Sequence, residues 1–147
     1  MPKYKVLSHI FLQPLNIFFD SENCIKIGDF GLVTSGVNDV SVERTMNKGT
    51  RSYMAPEQEG CNYGKEIDLF SLGLIFYEML FPFSTDHEKD KVFHEIKKGN
   101  FPKKLIEDFP KEASLIKKLL SKERNQRPSA AIILKILKKP PHGLHTY

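Results

Sequence analysis

Two stretches decide how the rest of the chain is read: Lys26-Ile27-Gly28-Asp29-Phe30-Gly31-Leu32, and the later run Gly49-Thr50-Arg51-Ser52-Tyr53-Met54-Ala55-Pro56-Glu57-Gln58. Upstream of the first, Ile17, Phe18 and Phe19 form an apolar run and Asp20 to Asn23 has turn composition. From Cys24 to Ile27, Lys26 alternates outward with Ile25 and Ile27 inward, so a β-hairpin is predicted to lead into Asp29. Between the two stretches, Ser35 to Arg51 is polar, with valines too scattered to make a core face. A segment of that length without a periodic pattern is usually functional or disordered.

Downstream the texture changes to helical. Ile67 to Phe81 carries apolar residues on every side, which predicts a helix buried all round, the central post of the domain. Lys89 to Lys98 sets Val92, Phe93 and Ile96 on one face, and Glu112 to Leu120 does the same with Leu115, Ile116, Leu119 and Leu120, so both are expected as surface helices. Pro128 and Ser129 start a last helix with Ile132, Ile133, Ile136 and Leu137 at helical spacing, and Pro140 and Pro141 stop it. The expected organisation is one mainly α domain over residues 1–139 and a tail over 140–147.

The 147 residues are 40% hydrophobic and 27% charged, a globular composition that excludes a disordered, collagenous or membrane-bundle chain. Leu69 to Phe81 is interrupted by Ser71, Gly73 and Glu78 and is too short to span a bilayer, so no membrane partner is expected. The net charge of +4 is spread through both signs, and the pairs Lys97-Lys98, Lys103-Lys104, Lys117-Lys118 and Lys138-Lys139 read as solvated faces, which argues against direct RNA binding. Cys24 and Cys61 lack metal or redox spacing and are expected to be buried packing residues of a cytoplasmic protein.

Taken in order, Asp29-Phe30-Gly31, Gly49-Thr50, Tyr53-Met54, Ala55-Pro56-Glu57, Asp68-Leu69-Phe70-Ser71-Leu72-Gly73 and Arg127-Pro128 resemble the C-terminal lobe of a eukaryotic protein kinase. Asn16-Ile17-Phe18, the Pro56-Glu57-Gln58 ending and Tyr63-Gly64-Lys65-Glu66-Ile67-Asp68 are most similar to the kinases of the translation initiation factor 2 α subunit, the double-stranded-RNA-activated member above all. The fold this implies is a mainly α kinase-like C-terminal lobe with a small β-hairpin. The resemblance also implies ATP and Mg as cofactors, with Asn16 and Asp29 as metal ligands. It makes Thr45 the activation-segment phosphothreonine position and Thr50 a substrate-orienting residue. Glu57, Asp68 and Arg127 become structural residues, with Arg127 ion-paired to Glu57 and Asp68 holding the catalytic-loop backbone.

The catalytic loop departs from the family pattern H-R-D-L-K-P-x-N. Here it is His9-Ile10-Phe11-Leu12-Gln13-Pro14-Leu15-Asn16. Phe11 stands at the base position, Gln13 at the lysine that faces the transferred phosphate, and Ile10 at the arginine that pairs with a phosphorylated loop. Because the sequence starts shortly before His9, the glycine-rich loop and the V-A-I-K lysine are not in it. The N-terminal lobe is therefore expected to be absent, leaving a nucleotide floor with no roof and with Leu12, Phe11 and Ile27 exposed. Two functions follow. One is a Ser/Thr kinase-like domain by ancestry with no catalytic residue intact. The other is a non-catalytic interaction protein that binds the initiation factor 2 α subunit, through the Lys89 to Lys98 helix, or an intact kinase.

Overall fold

A computed structural model of the chain describes residues 12–28, 51–60 and 63–138. The fold is mainly α, with one two-stranded antiparallel sheet. A 3-10 turn at Pro14–Asn16 leads into β1 (Ile17–Phe19), which pairs with β2 (Ile25–Ile27) in the register Ile17 to Ile27. Asp20 builds the turn between them. Its carboxylate accepts the N–H groups of Glu22 and Cys24, both at 2.9 Å, and lies 3.3 Å from Lys26 Nζ. The Cys24 hydrogen bond first, with those of Glu22 and Lys26, holds that carboxyl below its usual range.

The hairpin corrects three expectations. Ile25 and Ile27 are not inward: both are exposed, as are Phe18 and Phe19, because among the described residues the hairpin meets the core only at Ile17. Cys24 is an exposed free thiol rather than a packed one, since the turn it closes touches no core. Leu12, in contrast, is buried in the main core, and the exposed apolar residue near it is Leu15. Cys61 and Phe11 lie outside the described residues.

Among the described residues these helices follow: α1 (Glu66–Leu80), α2 (Asp86–Lys98), α3 (Lys103–Asp108), α4 (Pro110–Leu119) and α5 (Ala130–Lys138). α1 packs chiefly on α4, and Gly73 allows the close approach. A Cβ at that position would lie 2.9 Å from Leu119 Cβ and from Leu120 Cγ. One side of α1 gives Ile67, Phe70, Leu74 and Tyr77 to the main core, while Leu69, Leu72 and Phe76 pack on a second cluster of Leu115, Leu119 and Ile133. That two-sided burial is what its unstriped sequence predicts, with Met79 the exception at 73% exposure.

α2 begins three residues before the sequence pattern suggested, because its start is set by a cap. Thr85 Oγ accepts the Glu88 N–H at 3.1 Å, and Glu88 reaches back to the Ser84 N–H at 3.1 Å. It ends at Gly99, whose φ of 97° is the left-handed closure that glycine tolerates. α3, between Pro102 and Pro110, is an element the sequence pattern did not announce. α5 corrects another expectation: only Ile133 is buried, while Ile132, Leu134, Ile136 and Leu137 are exposed. A chain of aromatic rings, Tyr53, Phe93, Phe83, Tyr77, Phe81 and Phe109, runs through the core with centroids 5.3–6.1 Å apart, linking residue 53 to α2, α1 and the junction between α3 and α4. Among the described residues, no helix is long and apolar enough to cross a membrane.

Candidate functional site

The residues singled out by sequence fall at two places on this frame. The first is the catalytic-loop end. Asn16 is buried at the entry to β1; its N–H donates to Gln13 O at 3.0 Å, and its carbonyl accepts the Gly28 N–H at 2.8 Å. The hairpin thus folds back so that the residue preceding Asp29 is bonded to Asn16. Gln13 is half-buried at the start of the 3-10 turn, and its side chain makes no capping hydrogen bond. His9, Ile10, Phe11, Asp29, Phe30, Gly31, Thr45 and Thr50 lie outside the described residues.

The second place is the 51–60 segment. Pro56 starts a 3-10 turn, Pro56–Glu59, and the buried Gln58 side chain closes it by accepting the Ala55 N–H at 2.8 Å. Glu57 then meets Arg127. The guanidinium grips both carboxylate oxygens, with Nη2 to Oε2 at 3.0 Å. The Arg127 side chain is wholly buried and Glu57 is 19% exposed. Arg127 also donates to the carbonyls of Glu66 and Ser121, each at 3.0 Å, and its guanidinium carbon sits 4.8 Å from the Phe70 ring centre. One side chain therefore joins the segment, the start of α1 and the loop after α4. Burial pushes the Glu57 carboxyl upward, but the hydrogen bond and charge of Arg127 outweigh it, and the net shift is down.

Further contacts, for which the sequence offers no spacing signal, pin the same segment. Ser71 Oγ donates to Tyr53 O at 2.8 Å, the Tyr53 hydroxyl donates to Glu78, and Ser52 Oγ donates to Asp90 Oδ1 at 2.5 Å. Burial, then Glu78, raises the Tyr53 hydroxyl well above the usual phenol range. Lys89 Nζ lies 5.5 Å from the Tyr53 ring centre. Asp68 sits half-buried in the first turn of α1, in keeping with a first-turn acid.

One lysine reading is corrected. Lys98 is exposed, but Lys97 is half-buried, and desolvation pushes its ammonium down to about 8 against the opposing pull of Asp90 and Glu59. Among the described residues no group of three or more His, Cys, Asp or Glu side chains could hold a metal ion.

A family model described as "Protein kinase domain" matches residues 4–139. The chain belongs to the protein kinase family. It is 48% identical over 134 residues to the "Interferon-induced, double-stranded RNA-activated protein kinase" of Mus musculus, covering 90% of this chain and 25% of that one. It is 37% identical over 142 residues to "Eukaryotic translation initiation factor 2-alpha kinase 3" of Bos taurus, covering 88% of this chain and 13% of that one. It is 38% identical over 144 residues to the "eIF-2-alpha kinase GCN2" of Arabidopsis thaliana, covering 86% and 12%. This kinase-family chain therefore resembles the kinases of the translation initiation factor 2 α subunit and spans a quarter or less of the length of these relatives. Within it, the Glu57–Arg127 ion pair and the 51–60 anchorage make up the best-defined polar assembly among the described residues.

Proposed function

We propose that this kinase-family chain is a cytoplasmic pseudokinase module, derived from a Ser/Thr phosphotransferase of the translation-factor class. It binds the initiation factor 2 α subunit, or an intact kinase, without transferring phosphate itself. The observation that carries this is the loop His9-Ile10-Phe11-Leu12-Gln13-Pro14-Leu15-Asn16. Phe11 has no lone pair to accept a proton from a substrate hydroxyl, and Gln13 brings no charge to a transferred phosphate. Loss of a positioned base alone typically slows such a step 10²- to 10⁴-fold.

What the loop keeps is the oxygen-donor pair Asn16 and Asp29. An amide oxygen and a carboxylate suit Mg²⁺, and the bond between Asn16 and Gly28 supports their closeness. These two residues would hold the ion with ATP; when bound, Mg²⁺ neutralises charge on the β- and γ-phosphates. The docking part of the reading falls on α2, which corresponds to the Lys89 to Lys98 helix of the sequence and is rigidly seated by Phe93 and Ile96.

Phosphate transfer from ATP to purified initiation factor 2 α subunit tests the proposal. No transfer above a no-enzyme control is expected. If upstream sequence supplies an N-terminal lobe, Ile10→Arg, Phe11→Asp and Gln13→Lys together are expected to raise transfer by orders of magnitude. Transfer by the unrepaired protein that is abolished by Asp29→Ala would overturn the proposal.

A further inference from the structure

α2 turns one side to the 51–60 segment. Phe93 lies on that side, buried, with its ring centre 5.4 Å from that of Tyr53, and Asp90 accepts Ser52 Oγ at 2.5 Å. Lys97 follows Phe93 by four residues and Asp90 by seven, a spacing that puts all three on one face of the helix. Helical side chains lean toward the N-terminus, so Lys97 leans back along that face toward Phe93. Its ammonium is half-buried there, and the charged groups that face it are Asp90 from α2 and Glu59 from the Pro56–Glu59 turn. Among the described residues the half-buried lysines are Lys89 and Lys97. Lys89 pairs with Asp86 at 2.9 Å and lies over the Tyr53 ring, while the exposed Lys98 is bonded to Glu95 at 3.0 Å. The Lys97 ammonium has no hydrogen bond or ion pair among the described residues, and Asp90 and Glu59 draw on it from beyond bonding distance. A half-buried charge left without a bonded partner shifts the balance toward the neutral amine, which is a nucleophile.

We propose that Lys97 is a modification site, an amine that takes the acyl group of a small, uncharged acyl thioester. The ε-nitrogen attacks the thioester carbonyl, the N–C bond forms and the C–S bond breaks, and the nitrogen's proton leaves with the thiolate as a free thiol. The product is a neutral amide. The carboxylates of Asp90 and Glu59 set this choice of chemistry. They repel an anionic donor and an anionic adduct such as a carbamate, whereas a neutral amide ends the burial of a charge. Acylation also cancels the attraction of Lys97 to Glu59, and with it an electrostatic tie between α2 and the 51–60 segment. The site stands whatever partner α2 has.

The experiment treats the folded full chain with a limiting amount of S-acetyl-N-acetylcysteamine, an uncharged thioester, from pH 6 to pH 9, and reads the acetylation rate of each lysine by peptide mass spectrometry. At pH 7 an amine of about 8 is roughly one-tenth neutral, against fewer than about one in a thousand for an ordinary lysine near 10.4. Lys97 should therefore react at least about tenfold faster than the exposed Lys98 and Lys138, even after its lower basicity is allowed for. Its rate should level off above pH 8 while theirs keep rising, and in urea the three rates should converge. Glu59→Gln, at an exposed position, removes one of the pulls that keep the ammonium charged. It should speed Lys97 at pH 7 and leave Lys138 unchanged, with melting curves to check that the variant folds. A lead of Lys97 below about tenfold at pH 7, a lead that persists in urea, or a rate that climbs in parallel with Lys98 up to pH 9 would overturn the proposal. So would a Lys97 rate that Glu59→Gln lowers or leaves unchanged.

Discussion

Replacing Arg127 with alanine removes the most connected side chain among the described residues. Glu57 loses both of its guanidinium bonds, the carbonyls of Glu66 and Ser121 lose donors, and the Phe70 ring loses a stacked cation. Breaking a buried pair by removing one partner typically costs ~3–5 kcal/mol. Two orphaned carbonyls bring the expected loss to its upper end, although at 19% exposure Glu57 can draw some water in compensation. At roughly 2–4 °C per kcal/mol for a domain of this size, Arg127→Ala should melt about 10–15 °C lower. Arg127→Lys, which keeps the charge but not the fork, should fall between the two.

The pH dependence supplies a second readout. Because the folded-state carboxyl of Glu57 is depressed, its contribution is fully present above the unfolded glutamate range of about 4.3 and is lost as pH falls below it. The unsubstituted chain should therefore destabilise more steeply between pH 5 and pH 3 than Arg127→Ala does. Scanning calorimetry and urea melts across that range measure both effects. A melting temperature for Arg127→Ala within 2 °C of the unsubstituted chain, with parallel pH profiles, would refute the reasoning.

Three further outcomes follow from particular contacts. Gly73→Ala should destabilise by roughly 1–3 kcal/mol in urea melts despite alanine's better helix propensity, because the new methyl meets Leu119 and Leu120 at 2.9 Å and forces α1 from α4. Lys97→Met should raise the melting temperature at pH 7, where the lysine ammonium is half-buried. With the folded lysine depressed to about 8 and the unfolded one near 10.4, that gain should fade as pH rises from 8 past 10. Cys24 should react with a thiol reagent in the native chain, as peptide mapping would show, because it is exposed at the hairpin turn.

Periodicity in the sequence announces α1, α2, α4 and α5 because each has apolar residues at helical spacing. It misses α3, whose six residues Lys103–Asp108 contain a single buried side chain, Leu105, too little for any period to register. It also overstates burial in β2 and α5. Alternation and helical spacing say which residues share a face, but not whether another layer stands opposite, and for Ile25, Ile132 and Leu137 none does among the described residues. In the candidate site, the Glu57–Arg127 pair follows from family resemblance, since both residues sit in short recognisable words. The bonds of Ser52 to Asp90, Tyr53 to Glu78 and Ser71 to Tyr53 do not. Each joins residues distant in sequence through single side-chain atoms, and nothing in local composition marks them.

The anchorage of the 51–60 segment has an evolutionary reading. The side chains that carry it, Arg127, Glu57, Gln58 and Ser71, hold the helices together whatever becomes of the loop chemistry. Gln13 caps nothing and bears no comparable load. Substitution at the anchorage residues would therefore cost stability, whereas substitution of the Gln13 side chain would cost little. On the proposed reading, loop positions would be free to vary while the anchorage would not, because only the anchorage residues carry the contacts between helices that folding needs.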